Sequence, residues 1–172
     1  MLTETELVIA AGKSAKALAV RLEQLRVDRV VLAESCTAGL VAALLGQVPG
    51  ISHWLCGSAV TYRESTKVAW LGVSRQTLEQ QTAESLATTS EMAIGILQKT
   101  EEATCAAAVT GHLGPNAPPE IDGTVFITVV KRIGSSIEIT RSTTCQLKAI
   151  TRVGRQHEAA KAVLDLLLSD LS

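Results

Sequence analysis

Short apolar runs alternate with helix-like stretches along most of this chain, and that alternation restricts the folds open to it. Val30-Val-Leu-Ala33 is a brief, partly β-branched run, read as a buried strand. Gly57 to Tyr62 gives a second strand and Ala103 to Thr110 a third, the latter rich in small side chains. Before the first strand, Leu7, Ala11, Leu18, Leu22 and Leu25 share one side of a helix over residues 3–26, opened by a Thr3/Glu6 capping box. Thr37 to Gly46 reads as a helix with Thr37 as its N-cap. Ser74 caps a short helix ending near Gln81, and Thr82 to Lys99 forms a longer one with Met92, Ile96 and Leu97 inward. After a proline-rich loop from Gly111 to Gly123, Thr124–Lys131 and Ser136–Thr143 read as an antiparallel hairpin turning at Arg132–Ser135. A last helix runs from about Thr151 to Leu171, with Val153, Ala160, Val163, Leu164, Leu167 and Leu171 as its stripe. The order α-β-α-β-α-α-β-β-β-α predicts an α/β fold: a mixed sheet with helices on both faces, in one domain spanning 1–172.

Composition closes off several classes of function. No apolar run approaches the roughly 18 residues a membrane span needs, and charges at Glu4, Glu6, Lys13, Lys16 and Arg21 exclude a signal peptide. A soluble, cytoplasmic protein is expected. Sixteen basic and seventeen acidic residues are interspersed, and aromatics make up 2% of the chain, so neither a nucleic-acid surface nor a base-stacking platform is indicated. Cys36, Cys56, Cys105 and Cys145 are far apart, and three histidines (His53, His112, His157) complete no metal spacing. Free thiols in a reducing compartment, no metal and no cofactor are expected. Cys36, near a helix start, leaves open a reactive thiol and hence a redox-sensing reading.

Polar residues at loops beside the strands carry the candidate chemistry. Ala33-Glu-Ser-Cys-Thr-Ala-Gly39 is a strand-to-helix turn where free N–H groups can face an anion and Ser35 and Thr37 add hydroxyls; the spacing equally suits an ordinary helix cap. Thr110-Gly-His-Leu-Gly-Pro115 follows the third strand, and its backbone can line a pocket or form a structural turn. The only tyrosine, Tyr62, stands five residues before Lys67. Ser52, after Pro49-Gly-Ile, joins them as a possible serine nucleophile with a lysine base and a tyrosine relay. A surface lysine and a strand tyrosine is the plainer alternative.

The ordered series Ala33-Glu-Ser-Cys-Thr37, Pro49-Gly-Ile-Ser-His-Trp54, Val60-Thr-Tyr62 through Lys67, Leu71-Gly-Val73, Glu91-Met-Ala-Ile-Gly95, Thr110-Gly-x-x-Gly-Pro115 and Gly123-Thr-Val125 resembles the CinA C-terminal domain family. The family's nicotinamide-nucleotide amidohydrolases deamidate nicotinamide mononucleotide. The resemblance implies a three-layer α/β/α sandwich ending in the antiparallel hairpin, and hydrolysis of a carboxamide to a carboxylate with release of ammonia. It implies Ser52 as nucleophile with Tyr62 and Lys67 as activating partners. Ser35, Cys36, Thr37, Gly39, Thr110, Gly111 and Gly114 are expected to hold a small nucleotide substrate. With the chain's low-charge, apolar helices it also suggests a homodimer or higher homo-oligomer. The family's Gly-Asp-Arg arginine falls at Ile150, a second arginine position at Gly154, and Ala83-Glu-Ser-Leu86 lacks the acid after Ser85. Lys148 and Arg152 stand near the first of these. The absent guanidinium keeps open a substrate-shifted or non-catalytic member of the family.

Overall fold

Thr3 and Glu6 form the capping box their spacing predicts: the Glu6 amide donates to the Thr3 hydroxyl (3.2 Å) and the Thr3 amide to the Glu6 carboxylate (2.7 Å). They open α1 (Glu4–Leu25), which ends where Arg26 turns left-handed. In the computed structural model, which describes residues 2–171, the chain continues as β1 (Val30–Glu34), α2 (Leu40–Gly46), one 3-10 turn (Ile51–His53) and β2 (Leu55–Val60). Then come α3 (Glu64–Leu71), α4 (Arg75–Gln81), α5 (Leu86–Lys99), β3 (Cys105–Gly111), β4 (Thr124–Ile133), β5 (Ser136–Gln146) and α6 (Arg152–Asp170).

The five strands order as β2-β1-β3-β4-β5. β1 pairs in parallel with β2 and β3, while β3–β4 and β4–β5 are antiparallel, so the sheet is mixed and the hairpin forms its far edge. Alternate side chains feed two cores. Val30 and Leu32 of β1, Ala107 and Val109 of β3 and Ile127 of β4 pack with α1, α2 and α6. Val31, Ala33, Ala106 and Ala108 pack on the other face with α3 and α5. This is the three-layer α/β/α arrangement.

Small residues let these layers approach closely. A Cβ on Gly95 of α5 would lie 1.9 Å from the Leu71 carbonyl oxygen, so α5 and the end of α3 touch backbone to backbone. The helix α3 is absent from the sequence reading because its buried face consists of Lys67 and Leu71, and a lysine breaks the apolar stripe. Several boundaries also shift, two of them beside the strands' carboxyl ends. β2 ends at Val60, leaving Tyr62 beyond the strand, and α2 begins after Gly39 rather than at Thr37.

Candidate active site

The parallel strands β1, β2 and β3 all end on the same side of the sheet, and α2 and α3–α5 leave to opposite faces there. Such a switch in chain direction opens a crevice at the strands' carboxyl ends. Ser35 follows β1, Thr61 and Tyr62 follow β2, and Gly111 closes β3. A cleft of about 210 Å³ lies over these ends, lined by Ser35, Cys36, Tyr62, Glu84, the segment 111–117 and Arg152.

At its base Lys67 donates to the Ser35 hydroxyl oxygen at 2.9 Å and to the Thr61 carbonyl at 2.8 Å. Lys67 is 1% exposed and Ser35 5%. No carboxylate lies within ion-pair distance of its ammonium among the described residues. Desolvation pushes the Lys67 pKa below the ordinary lysine value, against weaker opposing effects led by the Glu84 charge. A buried amine so depressed gives up its proton more readily than a surface lysine and can serve as a base.

Glu34, one residue before Ser35, is 1% exposed. Its carboxylate accepts from the Thr37 hydroxyl (2.7 Å), the Gly39 amide (3.0 Å) and the Val41 amide (3.1 Å) on one oxygen. The Ala42 amide and the Ser58 hydroxyl, each at 3.0 Å, donate to the other. The amides at the start of α2, expected to meet a substrate anion, are thus filled by the chain's own carboxylate. Thr37 and Gly39, expected to hold substrate, bond to Glu34 and are not among the residues lining this cleft. Cys36 does line it, but burial pushes its thiol up to about 12, which removes the redox-thiol reading's premise of an activated cysteine.

Ser52 is not brought to Tyr62 and Lys67. It is exposed in the 3-10 turn before β2, whose first residue Leu55 pairs with Val30, the first of β1. Ser35 follows the last residue of β1, so the two serines are separated by at least the strand's length, roughly 16 Å at 3.3 Å per residue. Pairing with Lys67 passes from Ser52 to Ser35. A larger groove of about 630 Å³ lies at the Ser52 end, lined by Arg26, Arg29 and Pro49–Ile51 among others, and contains no such serine–lysine pair among its lining residues.

Of the other expected residues, Gly111 and Gly114 line the cleft. Thr110 is fully buried and shares a 2.7 Å hydroxyl–hydroxyl bond with Thr89 of α5, behind the cleft wall. Tyr62 is 53% exposed at the rim, where its hydroxyl accepts from Arg152 at 2.8 Å. The second amino group of Arg152 donates to the Gly114 carbonyl. Ile150, where the arginine seemed lost, is 80% exposed and lies outside this cleft's lining. Arg152, the first residue of α6 after the Thr151 cap, supplies the guanidinium. In the sequence Arg152 stands near the expected arginine position without aligning to it, and the Thr151 hydroxyl before it is the signal that marks the helix start. Glu84, 3.9 Å from the His112 ring, was also missed as a cleft residue.

Among the described residues no group of His, Cys, Asp and Glu could hold a metal, and no helix is long and apolar enough to cross a membrane. The four cysteines are free.

A profile of the CinA C-terminal domain matches residues 12–171. A CinA-like protein of Desulforapulum autotrophicum is 37% identical over 134 residues, covering 73% of this chain and 31% of that protein. Across such curated relatives the chain spans between 21% and 32% of their length. The crystal structure of competence/damage inducible protein CihA from Agrobacterium tumefaciens superposes with a TM-score of 0.86 at 28% identity, covering 95% of this chain and 96% of that one. A competence or damage-inducible protein from Enterobacter asburiae gives 0.82 at 28%, covering 94% and 98%. With the family profile matching residues 12–171 and these structures superposing over almost the whole chain, the chain belongs to the CinA C-terminal domain family.

Proposed function

We propose that this chain is an amidohydrolase that converts nicotinamide mononucleotide to nicotinate mononucleotide and ammonia, with Ser35 as nucleophile and Lys67 as its base. The observation that carries the reading is the 2.9 Å contact between Ser35 Oγ and Lys67 Nζ in a desolvated pocket opening on the cleft. With the amine neutral, the Ser35 hydroxyl donates to it, and Oγ attacks the carboxamide carbon as Nζ takes the proton. The protonated Lys67 then returns that proton to the leaving nitrogen, and ammonia departs. Water hydrolyses the acyl-serine, giving the carboxylate and regenerating Ser35. Thr61, whose carbonyl accepts from Nζ, keeps the amine aimed at the serine.

Arg152 is the substrate's anion anchor on this reading. Its two partners, the Tyr62 hydroxyl and the Gly114 carbonyl, are neutral, so its positive charge is left for a phosphate. The start of α6 adds the positive end of a helix dipole beside it. The guanidinium lining the cleft supports the substrate-binding, catalytic reading over a non-catalytic member.

The test is ammonia release from nicotinamide mononucleotide by wild type, Ser35→Ala and Ser52→Ala. Turnover should fall by about 10³-fold or more in Ser35→Ala and stay within twofold in Ser52→Ala. Full activity in Ser35→Ala would refute the assignment, and an inactive, folded wild type would refute the reaction.

A further inference from the structure

The cleft's outer wall, residues 111–117, is a loop with few backbone bonds of its own, yet it must present Gly114 to Arg152. What holds it is an ion pair outside the cleft. Arg155, one turn into α6, donates from both terminal nitrogens to the two oxygens of Asp122, at 2.7 and 2.8 Å, and from Nε to the Ala149 carbonyl at 2.9 Å. All three faces of the guanidinium fork are used. The Arg155 bond pulls the Asp122 carboxyl below the ordinary value, and the nearby His112 charge acts in the same sense.

The loop is moulded onto this pair. A Cβ on Gly114 would sit 2.7 Å from Arg155 Nη1 and 2.8 Å from Asp122 Oδ1. A Cβ on Gly123, at the loop's far end, would meet Gln146 Nε2 at 3.0 Å and Arg155 Cζ at 3.6 Å. Gly114 is left-handed at φ +59, so its carbonyl direction follows from how the loop lies on the pair. That carbonyl accepts from Arg152, whose other arm reaches Tyr62.

We propose that Arg155 and Asp122 are positioning residues for substrate binding: they fix Gly114, and through its carbonyl they fix the Arg152 guanidinium over the cleft. Neither lines the cleft. The inference rests on the hydrolase reading for its catalytic consequence but has a structural readout of its own. The pair's side chains are 16% and 35% exposed, so solvent screens it in part, and its loss should cost the whole fold little beside its effect on the loop. Its effect is orientation, where a displacement of about 1 Å can cost a large factor.

The experiment uses Arg155→Lys, which keeps the charge and loses the two-point grip, and Asp122→Asn, which keeps the shape. Hydrogen exchange at amides 112–117 is followed alongside kcat and KM for nicotinamide mononucleotide. Both variants should exchange faster in that segment, with KM raised about tenfold, kcat within about threefold and an unchanged melting temperature. In an Arg152→Ala background the KM effect of Arg155→Lys should vanish, because the two act through one contact. Unchanged exchange overturns the proposal whether or not the wild type turns over. Faster exchange with unchanged KM in an active enzyme overturns it too, reducing the pair to loop stabilisation. If wild type is inactive the hydrolase reading falls, and the proposal is read instead from nicotinamide mononucleotide binding by calorimetry: a Kd weakened about tenfold in both variants supports it, and an unchanged Kd or no binding by wild type overturns it.

Discussion

Replacing Lys67 with methionine tests the buried base through stability as well as rate. The side chain is 1% exposed and its pKa lies below the ordinary 10.5, chiefly through desolvation. In the unfolded chain the amine keeps its proton up to that ordinary value, whereas the folded protein releases it earlier. Between the two values the unfolded state binds more protons, so wild-type stability rises with pH across that window. One proton sets the limiting slope at about 1.4 kcal/mol per pH unit. Lys67→Met has no group titrating there. Its lost bonds to Ser35 and Thr61 leave polar atoms unpaired at about 1–3 kcal/mol each, offset by relief of a buried charge costing several kcal/mol. Those terms set the baseline; the pH dependence of the difference isolates the amine, because all other groups cancel. Urea unfolding of both proteins from pH 6 to 10, followed by circular dichroism, reads it directly. Wild type minus variant should be flat at the low end, then climb. Amide hydrolysis, lost in the variant by about 10²–10⁴-fold, should rise in wild type through the same pH value. A difference that is flat throughout, or falls with pH, would mean Lys67 folds without a depressed pKa, and the reasoning that makes it a base collapses.

Glu34→Gln should destabilise the protein by about 3 kcal/mol in urea titration, since an amide NH₂ would face donors now satisfied by the second carboxylate oxygen; a loss under 1 kcal/mol would show that the cluster relaxes around it. Gly95→Ala should lower stability by about 2 kcal/mol, overriding the roughly 1 kcal/mol gain in helix propensity, because its Cβ would strike the Leu71 carbonyl; an unchanged melting temperature would show that α3 and α5 can separate freely. Cys36, pushed up to about 12, should resist iodoacetamide at pH 8 in the folded state and react after unfolding, read by mass spectrometry. Rapid alkylation of the folded protein would restore the reactive-thiol reading.

The layers were legible because the helices and strands other than α3 carry their period on the surface of the sequence. Leu7, Ala11, Leu18 and Leu22 are all buried, and the capping box at Thr3 is in place. Leu25 and Ile96 are half-buried, and Val153 is 48% exposed in the first turn of α6, where the stripe has not yet reached the core. The chemistry was half legible. Ser35, Tyr62, Lys67, Gly111 and Gly114 do come together, but Ser52 lies only ten residues from Tyr62 in sequence and at the other end of β2 in space. Two parallel strands reverse the intuition of nearness: residues after β1 meet residues after β2, while those before β2 lie at the strands' amino ends. Arg152 was obscured for a different reason. A threonine, Thr151, caps α6 just before it, so no Gly-Asp-Arg spelling pointed to Arg152 as a cleft residue.

The carboxylate of Glu34 has a consequence for evolution and for engineering. A helix that opens toward bound substrate often draws its specificity from whatever anion arrives; here that berth is occupied from the moment of folding by a residue of the same chain. The neighbouring serine is therefore tethered to an anchor that no change of substrate disturbs. Substitutions in the 111–123 loop and the first turns of α6 can therefore reshape the cleft without touching the anchor beside Ser35.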